Sequence, residues 1–358
     1  MKRIKDEKEK PIQKGKFRLE AISEYRSEIY GISIFWILLF HMREHTKFEI
    51  FGGIPVLHYI QGFVKRGNMG VDVFLFISGI CLYFSFIKNP DILAFMKKRI
   101  ARVVLPLLFT SVPLWIGYLI FHKITIWGLI TRISLVQFWI SKDSQVWFAS
   151  LIMVFYLLYP YIYSLLFEKK TVKSAAIRDS ILIALVVLVT VAILMEEPAV
   201  YKQISRALPR VPVFLTGCCF GKLVYEKKKI PAVTLIALIV GYFLLHRVCS
   251  HAGTFQNILE RYSYWIGGVV ITFLLSVFFY YTPQWFNTVC KKWGTVSLEI
   301  YFAHIAILRI FQGLGVLEQF FKNRRYLELL LLIVFAYIWA VIAAKMVELL
   351  KITGLKKR

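Results

Sequence analysis

The chain has 358 residues, of which 58% are hydrophobic and only 18% are charged. A soluble domain of this length carries more charge, so the composition excludes soluble, disordered and fibrous proteins and indicates lipid as the solvent. The net charge of +24 would suggest nucleic acid as a partner in a soluble protein. In a membrane protein, basic loops on the cytoplasmic side set the orientation and account for such a positive charge. We therefore expect a lipid bilayer, and no nucleic acid, as partner.

Apolar runs of about 17–25 residues predict an all-α, polytopic membrane helix bundle with about ten transmembrane helices. The predicted spans are 27–42, 68–87, 103–121, 146–167, 180–195, 211–225, 230–245, 263–281, 295–311 and 327–350. Segment 124–141 mixes Trp127, Arg132 and Gln137 with aliphatic residues, which favours a helix lying in the interface over one that crosses.

The distribution of lysine and arginine predicts the orientation of these spans. Most of the 45 basic residues fall in loops on the same side as the N-terminus, and cytoplasmic loops retain positive charge. We therefore expect a multi-pass membrane protein with both termini in the cytoplasm. The predicted organisation is a basic segment 1–26, a single transmembrane domain 27–350 and a basic tail 351–358.

Ionisable residues inside a bilayer are functional candidates, because each is costly to bury there. His41 lies fifteen residues after Arg26, about 22 Å along a helix, which places its imidazole in the outer half of the membrane. Tyr30, eleven residues earlier, is on the same helical face. Asp72 opens the second span at a similar depth and could orient the imidazole of a general base. The alternatives are an inert interfacial histidine and an aspartate that caps its helix.

A basic cluster begins the third span on the opposite side of the membrane. Arg99 and Arg102 are three residues apart and therefore share a helical face, with Lys98 beside them. Paired guanidinium groups suit phosphate oxygens, although such residues also serve as simple topological anchors.

The ninth span contains a polar stripe, because Ser297, Tyr301 and His304 recur on one of its helical faces. Such a stripe faces protein or a water-filled cavity, and it either lines a passage or holds helices together. Trp147, at one end of the fourth span, is typical of a membrane-interface aromatic. The sequence contains no glycine-rich phosphate loop, zinc motif or nucleophile elbow, so we expect no metal and chemistry based on histidine.

These residues resemble the integral membrane acyltransferases of acyltransferase family 3. The resemblance covers most of the chain and rests on five blocks in order, at 31–41, 70–79, 99–106, 147–160 and 297–304. It implies that His41 is the catalytic residue and that Arg99 and Arg102 bind the acyl donor. Many members have an arginine where this chain has Tyr30, so either Tyr30 or Arg26 takes that role.

The resemblance implies an O-acyltransferase that uses cytoplasmic acyl-CoA, most commonly acetyl-CoA, as co-substrate. The acceptor would be a hydroxyl of an extracytoplasmic or lipid-linked carbohydrate. In this scheme His41 removes the hydroxyl proton, Asp72 orients His41, and the donor phosphates bind Arg99, Arg102 and Lys98. The alternative is a transporter or flippase for a lipid-linked saccharide, with the same polar groups lining its path.

Overall fold

The computed structural model describes residues 9–46, 58–141, 145–168, 171–249, 251–313 and 324–355. Three short strands and a series of helices follow one another along the chain. The strands are β1 Ile12–Gln13, β2 Lys16–Arg18 and β3 Lys229–Pro231. The helices are α1 Glu20–Glu24, α2 Arg26–Thr46, α3 His58–Lys65, α4 Gly70–Lys88, α5 Ile92–Thr110, α6 Val112–Ile120, α7 Ile126–Ile133, α8 Gln137–Ile140, α9 Trp147–Phe167, α10 Val172–Glu196, α11 Pro198–Ile204, α12 Val211–Tyr225, α13 Ala232–Cys249, α14 Gln256–Tyr281, α15 Gln284–Thr295, α16 Ser297–Gly313 and α17 Arg325–Leu355.

The fold is an all-α membrane bundle, as the sequence predicts. Among the described residues, six helices are long and apolar enough to cross a membrane, or up to eight if each of two bent pairs forms one span. The bent pairs are α5 with α6, at 45°, and α11 with α12, at 55°. Prolines explain both bends, because Pro113 opens α6 while Pro209 and Pro212 flank the start of α12.

Two of the ten predicted spans, 27–42 and 295–311, form helices α2 and α16. Neither helix is among the six to eight that are long and apolar enough to cross a membrane. Helix α2 carries charged residues at both ends, and α16 has 17 residues in the described part of the chain. Segment 124–141 forms the short helices α7 and α8. Eight residues rise about 12 Å, so neither helix can cross the hydrocarbon layer.

The helices differ in how much of their surface the bundle covers. Within their apolar windows, α4 is 67% buried and α14 61% buried, whereas α10 and α13 are only 11% buried. Helices that are apolar on all sides and yet exposed must face lipid. Helices α4 and α14 therefore lie at the centre, and α10 and α13 at the periphery.

Glycines allow the closest helix contacts. A Cβ atom added to Gly217 of α12 would lie 2.1 Å from the carbonyl oxygen of Phe76 in α4. A Cβ atom added to Gly294 of α15 would lie 1.7 Å from the carbonyl oxygen of Ser27 in α2. Only glycine permits such backbone approach, and these two contacts position the helices α2 and α4 that carry the candidate site.

A small antiparallel sheet ties the N-terminal segment to the loop before α13. Strand β2 pairs with β1 on one side and with β3 on the other. Arg18 of β2 forms ion pairs with Glu20 and Glu24, at 3.2 and 3.0 Å, and Lys227 lies 3.0 Å from Glu20. Hydrogen bonds from Lys227 and Arg18 hold the pKa of Glu20 below its ordinary value. The N-terminal segment and residues 227–231 therefore lie on the same face of the bundle.

Candidate active site

Three adjacent cavities lie beside α2 within the bundle. The inner cavity, of about 1080 Å³, lies beside the start of α2, and the outer cavity, of about 370 Å³, lies beside its later turns. A neck of about 60 Å³ lies between them. The neck shares Arg102 and Ser297 with the inner cavity, and it shares Val71 and Tyr301 with the outer one. The three cavities therefore follow one another along the bundle as a path of adjacent spaces with shared walls.

The inner cavity is strongly basic. Among the described residues that line it are five cations and one carboxylate, Glu299; the cations are Arg26, Lys88, Lys98, Arg99 and Arg102. The sequence-predicted cluster of Lys98, Arg99 and Arg102 thus comes together with Arg26 around one chamber. Such a chamber attracts phosphate or another anion.

Aromatic rings hold Arg99 in place within this chamber. The Arg99 side chain is buried, and its guanidinium carbon lies 5.5 Å from the Phe95 ring centroid and 5.7 Å from that of Tyr156. Among the described residues its Nε has no hydrogen-bond partner. Arg102 is exposed to the chamber one turn closer to the neck. The pair therefore presents guanidinium groups at two depths of the path.

Two residues of the predicted polar stripe of α16, Ser297 and Tyr301, face this path, whereas His304 is not among the described residues that line the three cavities. Ser297 lines the inner cavity and the neck, and Tyr301 lines the neck and the outer cavity. The Tyr301 hydroxyl accepts a hydrogen bond from the backbone N–H of Phe148 at 3.4 Å. His304, one turn further along, is buried beside Tyr301, with the ring centroids 5.8 Å apart.

His41 lies at the outer cavity and contacts two other ionisable groups. Its Nδ1 is 3.6 Å from a carboxylate oxygen of Glu44, and its ring centroid is 5.3 Å from that of His304. The His41 side chain is 30% exposed, so an incoming molecule can reach it. His304 Nδ1 lies 3.0 Å from the carbonyl oxygen of Ile300, which assigns the proton to Nδ1 and leaves Nε2 as an acceptor.

Asp72 does not orient His41, contrary to the sequence-based hypothesis. Its carboxylate lies 3.3 Å from Nε of Arg210, and both side chains are almost completely buried. Nor is Asp72 a helix cap, because the N-cap of α4 is Met69. The carboxylate is instead committed to a buried guanidinium, and Glu44 is the acidic group beside His41.

Tyr30 also lies apart from His41. Tyr30 lines the inner cavity and the neck, whereas His41 lines the outer cavity three helical turns away, about 16 Å along α2. The Tyr30 ring stacks on the Phe74 ring, and the two ring centroids are 4.7 Å apart. Tyr30 and Arg26 are therefore both placed on the inner part of the path, and neither contacts His41.

Sequence reasoning missed the arginines of the outer cavity. Arg206, Arg210, Arg261 and Arg309 all line it, together with His41 and Glu44. Trp147, expected at the membrane interface, is buried, and its ring centroid lies 4.8 Å from the Arg210 guanidinium carbon. One feature of the sequence could have indicated this cluster: Arg210 lies between two prolines at the start of an apolar run.

Taken together, the fold and the path define a polytopic membrane protein with a basic chamber at one end and a histidine-containing chamber at the other. A family model described as "Acyltransferase domain" matches residues 31–345, nearly the whole chain. The chain therefore belongs to acyltransferase family 3, and it is a membrane acyltransferase. No curated protein and no solved structure matches the chain.

Proposed function

We propose that this protein is an O-acyltransferase that transfers an acyl group, most simply acetyl, from cytoplasmic acyl-CoA to a saccharide hydroxyl. The saccharide would be extracytoplasmic or lipid-linked, and the protein would reside in a bacterial cytoplasmic membrane. One observation carries the proposal: a series of adjacent cavities with shared wall residues leads from the basic inner cavity to His41 in the outer cavity. A donor made inside and an acceptor located outside require such a path.

The inner cavity would bind the donor. Acyl-CoA carries several phosphate groups, and Arg99 and Arg102 offer forked donors that suit phosphate oxygens, with Lys98 and Arg26 adding positive charge. The acyl arm would then extend past Tyr30 and Ser297 into the neck. The neck-lining part of α2 runs from Tyr30 to Ile37, seven residues that rise about 10 Å.

His41 would act as the general base at the outer end. It takes the proton from the acceptor hydroxyl, whose oxygen forms a bond to the thioester carbonyl carbon. The carbon–sulfur bond then breaks, and coenzyme A leaves as a thiolate that takes up a proton to give the free thiol. A histidine is well suited to this proton transfer near neutral pH. Glu44 would orient the imidazole and stabilise its cation.

Replacement of His41 by alanine tests the catalytic role. We expect acyl transfer from labelled acetyl-CoA by purified protein in nanodiscs to fall by about 10²-fold or more, because the general base is lost. Binding of acetyl-CoA should stay unchanged, since His41 lies outside the inner cavity. His251→Ala, at an exposed histidine, is the control. Full activity of His41→Ala would remove His41 from the mechanism.

Replacement of Arg99 or Arg102 by alanine tests the donor site. Each change should raise KM for acetyl-CoA by about tenfold, because a charged hydrogen bond to phosphate is lost. Lys97→Ala is a matched control: Lys97 is exposed on the same helix and does not line the inner cavity. An unchanged KM in both arginine variants would show that these residues only anchor the helix.

The transporter or flippase for a lipid-linked saccharide stands as the second candidate. Reconstituted vesicles separate the two functions. Acyl-CoA turnover that depends on a saccharide acceptor supports the enzyme, whereas saccharide movement across the vesicle membrane without any acyl donor supports the transporter.

A further inference from the structure

The outer cavity contains more positive charge than catalysis by His41 requires. Arg206, Arg210, Arg261 and Arg309 line it, and Glu44 is the acidic residue among its described lining residues. The four arginines come from separate parts of the fold: the segment between α11 and α12, helix α14 and helix α16. They converge through the tertiary structure, so helical periodicity does not explain the cluster.

The ion pair with Asp72 does not neutralise Arg206, Arg210 and Arg261 together. Asp72 forms its ion pair with Arg210 and can neutralise only one cation. Arg210 is 2% exposed and lies over the Trp147 ring, so its guanidinium is held in one position. Arg261 has a buried Nη1 atom with no hydrogen-bond partner among the described residues. A buried donor on a cation needs an acceptor, and the adjoining cavity has room for water or a bound anion to supply one.

Membrane topology offers no other reason for these arginines. On the predicted orientation the outer cavity opens on the side where loops are depleted of lysine and arginine. Arg206 is exposed at this opening, so the cavity meets solvent with a positive charge. Guanidinium groups bind carboxylate and phosphate through two parallel hydrogen bonds, and clustered guanidinium groups attract such anions from solution.

We propose that the acceptor carries a negatively charged group, a carboxylate or a phosphate, close to the hydroxyl that is acylated. This inference rests on the proposed acyl transfer for its biological meaning. Arg206, Arg210 and Arg261 bind the anionic group, and His41, which lines the same cavity, then faces the neighbouring hydroxyl. A sugar acid supplies the carboxylate, and a phosphorylated or lipid-linked saccharide supplies the phosphate.

Binding of three matched probes tests the inference without any acyl donor. The probes are a disaccharide that contains glucuronate, the neutral methyl ester of the same disaccharide, and a neutral disaccharide carrying one phosphate. Isothermal titration on the full chain in nanodiscs should show at least one charged probe binding about tenfold more tightly than the ester. The charged probe that binds more tightly identifies the source of the anion.

Arginine variants test which side chains produce the preference for the charged probe over the neutral ester. Arg206→Gln and Arg261→Gln should each reduce the preference for the charged probe to about threefold or less, because each removes one guanidinium. Lys202→Gln, at an exposed lysine that does not line the cavity, should leave it unchanged. Arg206 is exposed, so its replacement keeps the fold even if Arg261→Gln does not.

The outcomes separate this inference from the proposed function. Equal binding of the ester and both charged probes, or a preference that survives in both arginine variants, overturns the inference even if acyl transfer occurs. Charge-selective binding without acyl transfer from acetyl-CoA supports the anion site and overturns the acyltransferase assignment of this cavity.

Discussion

Asp72 and Arg210 form an ion pair whose side chains are only 1% and 2% exposed. Each group alone would carry a large desolvation cost, and their mutual attraction offsets that cost only while both are present. The pair joins α4 to the segment before α12 and lies beside the outer cavity. Arg210 also donates to the carbonyl oxygen of Arg206 at 2.7 Å. The fold therefore depends on both partners being present, and the pair holds a guanidinium at the cavity wall.

Asp72→Asn should destabilise the protein by about 3–5 kcal/mol, because Arg210 is left as an uncompensated buried charge. The unfolding midpoint in detergent, followed by tryptophan fluorescence, measures the loss. The double variant Asp72→Asn, Arg210→Gln should recover part of it, since both charges are gone. If the single variant is as stable as the original chain, the pair has no role in the fold.

The sequence predicts candidate residues better than it predicts their partners. His41, Arg99 and Arg102 can be recognised in the sequence, because a charged group or an imidazole is costly to bury in an apolar run. The structure places all three on the path. The partner of Asp72 could not be found the same way, because the flanking prolines make Arg210 unusual but do not show which helix it meets. Periodicity describes a single helix and contains no information on which helices meet.

At the level of elements, the contact between α4 and α12 depends on glycine. Gly79 and Gly217 face each other across it, and a Cβ atom on Gly79 would lie 2.6 Å from the backbone nitrogen of Cys218. Asp72 lies in α4, and Arg210 is the residue just before α12. The contact between the two helices therefore also sets the separation of the ion pair. The spacing of the helices and the geometry of the outer cavity are therefore linked.

Gly217→Ala should destabilise the protein by about 1–3 kcal/mol, because the new methyl group overlaps the Phe76 carbonyl and forces the two helices apart. Thermal unfolding of the purified variant measures this effect. Gly241→Ala is a matched control in α13, where an added Cβ meets no atom within 4 Å. Its stability should be equal or slightly higher, since alanine favours helix. Equal stability of the two variants would contradict the close contact.

At the scale of the whole molecule, helix α2 connects both ends of the path. Arg26 lines the inner cavity, Tyr30 to Ile37 line the neck, and His41 lines the outer cavity. The bundle class and the membership of the family follow from the apolar runs and the ordered motifs, and both are confirmed. The prolines mark where the two bends lie, but the narrow neck could not be predicted, because it depends on how side chains from several helices fill the centre.

Ser297→Phe should block the neck and lower kcat for acyl transfer at least tenfold, because a ring fills most of a space of about 60 Å³. Binding of acetyl-CoA phosphates should persist, since the arginines of the inner cavity are unchanged. Ser297→Ala keeps the neck open and should retain activity. Both variants are compared by steady-state kinetics with acetyl-CoA. Unimpaired turnover by the phenylalanine variant would show that the acyl group does not pass the neck.

The narrow neck also changes the electrical profile of the membrane. If water fills the wide cavities on either side, as their charged and polar linings favour, the poorly conducting layer shrinks from about 30 Å of hydrocarbon towards the roughly 10 Å between Tyr30 and Ile37. We then expect the transmembrane voltage to fall mainly across this short segment. A unit charge moved through it would cross most of the potential, about 2.3 kcal/mol for each 100 mV, whereas a neutral group would cross without electrical work.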